Sequence, residues 1–204
     1  MRSANYLNIL VLLFIVFIPE ACKNRNEISK NTVKPATTRE NKIGPKEIVL
    51  IHQAALDGQL DQVKRLLSEG FDIDLKDADG RTPLMYASFN GHKEIIKLLI
   101  EKGANVNLGD RYGRTALMMA SSGSNTESVK LLLDNYADPN IRDKEEHFTA
   151  LMYAASEGQI EVVKLLLANK ADPSLKDIDG DDAITFAGKN GHKVVVDFLQ
   201  SYKK

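Results

Sequence analysis

Residues 77–92 read Asp-Ala-Asp-Gly-Arg-Thr-Pro-Leu-Met-Tyr-Ala-Ser-Phe-Asn-Gly-His, and the chain repeats that phrase. It returns as Asp110-Arg-Tyr-Gly-Arg-Thr-Ala-Leu-Met-Met-Ala, again from Asp143 to Ala155, and as Asp177-Ile-Asp-Gly-Asp-Asp-Ala-Ile-Thr-Phe-Ala, at spacings of 33, 33 and 34 residues. A second apolar block follows each of the first three starts: Ile95-Ile96-x-Leu98-Leu99-Ile100, then Val129-x-Leu131-Leu132-Leu133, then Val162-Val163-x-Leu165-Leu166-Leu167. Self-similarity at such a period is the signature of stacked repeats.

The letters carry physical reasons. Thr82 is suited to cap a helix whose first residue is Pro83, where a missing N–H removes no hydrogen bond, and Asn90-Gly91 ends that helix. A second helix starts near His92 and stops at Gly103. Helices of eight to ten residues are marginal alone, so each pair must bury its apolar face against its neighbours. The expected result is a solenoid with one continuous core.

In its letters and period the array resembles the ankyrin repeat, over about residues 45–204. The resemblance implies an all-α solenoid of stacked helix-turn-helix units with β-hairpin tips. The repeat boundaries read as 45–76, 77–109, 110–142, 143–176 and 177–204, the first and last being caps. Gln62 and Arg65 stand where a later repeat has Ile95 and Leu98, and Gln200 stands where Leu167 did, so both ends present polar residues.

Three departures from the family pattern stand out. The histidine of its T-P-L-H phrase is Met85, Met118 and Met152, and only His52 keeps it. Soft apolar packing then replaces a polar tether. Tyr136 and Lys170 hold positions where a glycine would end the second helix, each requiring a left-handed backbone that disfavours a side chain by roughly 1 kcal/mol. An extra residue lengthens the tip from Asp143 to Phe148. These features are expected to soften the middle of the array.

The N-terminus is of another kind. Arg2 precedes an apolar stretch over residues 7–18, interrupted only by Asn8, and Pro19-Glu20-Ala21 follows, ahead of Cys22, the single cysteine. This order reads as a signal peptide over residues 1–21. The cysteine just beyond the apolar run resembles a bacterial lipoprotein signal, matching the usual box at Ala21 and Cys22 and departing from it at Pro19 and Glu20. The resemblance implies lipidation at Cys22. Residues 22–44 read as a flexible tether spanning roughly 25 to 30 Å. From residue 22 to 47 seven Lys/Arg face three Asp/Glu, for a charge of +4, whereas 48–204 carry −5.

The 204 residues are 43% hydrophobic and 27% charged, which excludes disorder throughout. With 27 Lys+Arg against 28 Asp+Glu there is no global field for a polyanion, so nucleic acid is not expected as a partner. His52, His92, His147 and His192 show no ligand spacing, and no metal or other cofactor is expected. Asp177, Asp179 and Asp181 alternate as in a calcium loop, but Asp182 and Gly188 stand where that loop wants Gly and Glu, so a turn is expected. There is no nucleophile motif and no phosphate-binding glycine loop, and Ser121-Ser122-Gly123-Ser124 reads as a loop between helices. No enzymatic activity is expected.

What remains is surface. The resemblance implies that hairpin tips and the ends of the first helices form a concave face for a protein partner. In this sequence those positions are Ala78, Asp79, Arg81, Phe89 and Asn90, then Arg111, Tyr112, Arg114, Ser122 and Gly123. Lys144, Glu145, His147, Ser156 and Glu157 follow, then Ile178, Asp179, Asp181, Lys189 and Asn190, with Leu56 and Asp57 from the first cap. Aromatics and arginines dominate interface energies, so the expected hot spot is the N-terminal half: Leu56, Arg81, Phe89, Asn90, Arg111, Tyr112 and Arg114. The chain is thus expected to be a monomeric, lipid-anchored binding protein of the cell envelope, facing periplasm or exterior. Its alternatives are an inhibitor or immunity-type protein, an accessory factor of an envelope enzyme, and a soluble periplasmic or secreted effector.

Overall fold

The computed structural model describes residues 45–202 apart from Ser124, so the stretches expected to be a signal peptide (1–21) and a tether (22–44), with Cys22, lie outside the described residues. Among the described residues ten α-helices run in pairs: α1 (Pro45–Leu56) with α2 (Leu60–Ser68), α3 (Pro83–Asn90) with α4 (Lys93–Glu101), α5 (Ala116–Ser122) with α6 (Thr126–Asp134), α7 (Ala150–Ser156) with α8 (Ile160–Ala168), and α9 (Ala183–Lys189) with α10 (Lys193–Tyr202). Each odd-numbered helix packs on the next odd-numbered one and each even-numbered helix on the next even-numbered one, giving an inner and an outer row. None of the described helices is long and apolar enough to cross a membrane.

The inner helices start as their letters dictate. Extended Thr82 accepts a hydrogen bond from the Met85 amide at its hydroxyl, with Pro83 in the first turn, and Thr115 and Thr149 do the same for Met118 and Met152. Asp182 takes the role in α9, accepting from the Thr185 amide at 2.9 Å. Gly91 closes α3 in the left-handed conformation at φ 76°. Ser121 and Ser122 correct one expectation: they are the last turn of α5, not a loop, and Ser121 is buried. Packing against the neighbouring inner helices overrides the turn preference of Ser-Ser-Gly.

The outer helices use their starts differently. His92, Asn125 and Gln159 occupy their N-cap positions, yet none of these side chains caps its own helix. Each instead bonds a carbonyl at the end of the inner helix of the repeat before: His92 Nε2 to Leu56 at 2.8 Å, Asn125 Nδ2 to Phe89 at 2.7 Å, Gln159 Nε2 to Ser122 at 3.3 Å. His192 repeats the bond to Ser156 at 2.9 Å. A helix C-terminus leaves its carbonyls unpaired, so a cap given up within one repeat becomes a tie between repeats.

Between the rows runs a continuous core that includes Ile51, Leu66, Leu84, Ile96, Leu99, Leu117, Leu132, Leu151 and Leu166, all fully buried. Met85, Met118 and Met152 are buried in it, whereas His52 bonds the Leu75 and Arg81 carbonyls at 2.9 and 3.0 Å. Polar side chains tie the far edge. Asn107 Oδ1 accepts from the Asp138 amide while its Nδ2 donates to the Tyr136 carbonyl, and Asn140 does the same for Asp172 and Lys170.

Tyr136 and Lys170 are left-handed at φ 66° and 68°. Tyr136 is 89% exposed, so burial returns little for that conformation. Tyr136→Gly and Lys170→Gly are each expected to raise stability by about 1 kcal/mol in urea unfolding. A loss of stability instead would show that these side chains contribute more than their backbones cost.

Candidate protein-binding surface

The tips form a ladder. Each is closed by a backbone bond from the Asp77 amide to Arg81, Asp110 to Arg114, Asp143 to Phe148 and Asp177 to Asp181, all at 2.9 to 3.0 Å, and in three of them an inner bond runs from the Gly80, Gly113 and Gly180 amides back to Asp77, Asp110 and Asp177. They are turns, and the only bridge among the described residues is the isolated one between Gly109 and Thr115. Adjacent tips are linked in series: the Arg111 amide donates to Asp79, Lys144 to Tyr112 and Ile178 to Glu146, at 2.8 to 3.1 Å. The acceptor is the third residue of its tip in the first two and the fourth in the last. The extra residue between Asp143 and Phe148 is absorbed by that shift, and His147, at φ 61°, takes the place of Gly80, Gly113 and Gly180.

A carboxylate organises each turn. Asp77 Oδ1 accepts from the Asp79 and Arg81 amides, and Asp110 Oδ1 from those of Tyr112 and Arg114. The same use of Asp177 Oδ1, by Asp179 and Asp181, gives the alternating aspartates a turn role. Among the described residues no group of His, Cys, Asp and Glu could hold a metal ion.

The expected hot-spot residues fall into two groups. At the tips, Arg111 is exposed and pairs with Asp79 at 2.9 Å, Arg81 pairs with the same carboxylate at 3.5 Å, and Arg114 grips Asp110 through Nε and Nη2 at 2.9 and 2.7 Å. The Tyr112 ring has the Arg111 and Arg114 guanidiniums at 4.5 and 4.8 Å from its centroid, and its hydroxyl bonds Arg111. At the helix ends, Phe89 is half-buried against the core, Leu56 is half-buried, and exposed Asn90 donates from Nδ2 to the Leu56 carbonyl at 2.7 Å. Phe89 and Leu56 therefore offer an edge of each side chain to solvent, not a whole one.

Sequence reasoning missed a second aromatic group. Phe148 meets Tyr153 edge-on at 5.5 Å and Phe186 at 4.8 Å, and all three rings are half-buried. Phe148 precedes the cap Thr149 as Arg81 precedes Thr82 and Arg114 precedes Thr115, so counting back from the caps would have exposed it. Tyr153 donates towards Asp143 Oδ2 at 3.5 Å. Burial, and then the Asp143 carboxylate, hold its hydroxyl well above the ordinary tyrosine range.

A family model described as ankyrin repeats (3 copies) matches residues 51–143 and 138–204. No curated protein matches the chain.

Proposed function

The chain belongs to the ankyrin-repeat family, and we propose that it is a non-catalytic binding module of the bacterial cell envelope, holding one protein partner on its tip face. Ankyrin repeats are generally protein–protein interaction modules. The observation that carries the reading is Tyr112, an aromatic with the guanidiniums of Arg111 and Arg114 against its ring on a tip fixed by Asp110. An anchor ordered before the partner arrives loses little rotamer freedom on binding. The module runs over residues 45–204 as a monomer, and the 1–21 signal with Cys22 and the 22–44 tether would confine it near a membrane. Confinement raises its effective concentration for membrane-proximal partners.

The test is affinity capture from the native envelope with the full chain. Wild type is expected to retain a specific protein that Phe89→Asp/Tyr112→Asp, still helical by circular dichroism, retains at least about tenfold less. Unchanged retention by the double variant overturns the assignment of the hot spot. As one arm of the same fractionation, Cys22→Ser is expected to move the protein from membrane to soluble fraction. An unmoved protein overturns the lipid anchor.

A further inference from the structure

The two halves of the tip face differ in charge and in what floors them. Asp77, Asp79 and Arg81 together with Asp110, Arg111 and Arg114 cancel, and each of these guanidiniums already meets a carboxylate. The third and fourth tips, from Asp143 to Phe148 and from Asp177 to Asp181, sum to −5 with Lys144 as their only basic residue, and Lys189 from α9 meets one of these carboxylates, Asp181. Glu145, Glu146 and Asp179 there are exposed and form no ion pair with any described residue. Phe148, which ends the third tip, meets Phe186 of α9 edge-to-face. Beside them Ile178 is 54% exposed.

One cation of the chain itself already uses this arrangement. Lys189, at the end of α9, places Nζ 5.8 Å from the Phe186 ring centroid and bonds the Asp181 carboxylate. That bond holds its ammonium above the ordinary lysine range. An aromatic face carries negative charge density, and a cation laid over it gains further when carboxylates stand near. The same surface repels an anion, and a neutral apolar ligand would leave the carboxylates unused.

We infer that the C-terminal half of this face is a subsite for a basic segment of the partner, an arginine or lysine laid on Phe148 or Phe186 with its charge met by Glu145, Glu146 or Asp179. The inference rests on the reading of this face as protein-binding and adds the chemistry of the partner. Ile178 covers the aliphatic stem of the incoming side chain, since long basic side chains bury their methylenes while the charged head stays polar.

The probe is a fluorescein-labelled ten-residue peptide alternating glycine and arginine, titrated against the full chain by anisotropy beside its neutral citrulline counterpart. The citrulline peptide is expected to bind at least about tenfold more weakly. Glu145→Gln/Glu146→Gln/Asp179→Asn is expected to weaken the arginine peptide about tenfold, while the charge-matched outer-helix triple Glu94→Gln/Glu101→Gln/Glu161→Gln stays within about twofold. Phe148→Leu/Phe186→Leu, which keeps apolar volume and removes the π faces, is expected to cost about threefold or more. Lys189→Ala, by removing the resident cation, is expected to tighten binding about threefold, against little change for Lys193→Ala. Equal losses in the two carboxylate triples, or no loss in the leucine variant, overturn the subsite. The capture experiment reads Phe89 and Tyr112 independently: a partner still lost by that double variant while the peptide test fails removes this inference alone. A bound peptide with no effect of Phe89→Asp/Tyr112→Asp removes the hot-spot assignment alone.

Discussion

Asp110→Ala is expected to destabilise the array by about 3 kcal/mol or more. Asp110 is 3% exposed, and both its oxygens are committed. Oδ1 accepts the Tyr112 and Arg114 amides, each at 2.9 Å, and Oδ2 accepts Arg114 Nε and Nη2 at 2.9 and 2.7 Å. The Arg114 side chain is only 11% exposed. Alanine would orphan two turn amides and leave a largely buried guanidinium without its counter-ion, and an uncompensated charge of that kind dominates the cost. Asp110→Asn keeps an acceptor for the two amides but turns an NH₂ towards Arg114, so an intermediate loss is expected. Asp110→Ala/Arg114→Leu removes the stranded charge and is expected to recover more than half of the loss. Urea unfolding of the three variants decides the matter: a cost below about 1 kcal/mol for the alanine variant would class the pair with ordinary surface ion pairs. Arg114 also stands beside the Tyr112 ring, so Asp110→Ala is expected to weaken partner retention even where the protein remains folded.

What the sequence made legible is what repeats. Thr82, Thr115 and Thr149 recur at the same place in the repeat, so their capping role is legible, and aligning Tyr136 and Lys170 with Gly103 exposes their left-handed backbones. His147 escaped because the extra residue shifts its tip: it falls in the glycine position only when counted back from Thr149. Ser121 and Ser122 misled because local composition favours a turn, whereas the decisive term is their packing in the inner row. The pairing of Arg111 with Asp79 was out of reach, since it joins neighbouring tips and depends on how the repeats stack. For the same reason an aromatic such as Phe89 could be placed at a surface position but not graded for exposure.

Stacking also governs how damage spreads, and Leu132→Ala against Leu199→Ala tests it. Both leucines are fully buried, so each truncation removes about the same apolar transfer and is expected to cost about 3 to 4 kcal/mol where the site cannot collapse. Their surroundings differ. Leu132 lies in α6, which packs on both α4 and α8, while Leu199 lies in α10, which among the outer helices has only α8. In a solenoid, stability is a sum of repeat and nearest-neighbour terms, so a central cavity weakens two interfaces and a terminal one weakens one. Leu132→Ala is therefore expected to speed amide exchange across α4, α6 and α8 together and to lower the midpoint of the main unfolding transition. Leu199→Ala is expected to speed exchange mainly in α9 and α10 and to leave α3 to α6 near wild type, because the end can fray without opening the core. Equal acceleration along the whole array in both variants would mean that the repeats unfold as one unit, and the acidic half of the tip face would then share its stability with the arginine half. Separate behaviour would leave the C-terminal tips free to order on a basic partner while the Tyr112 tip stays fixed, a division the interrupted register at His147 already favours.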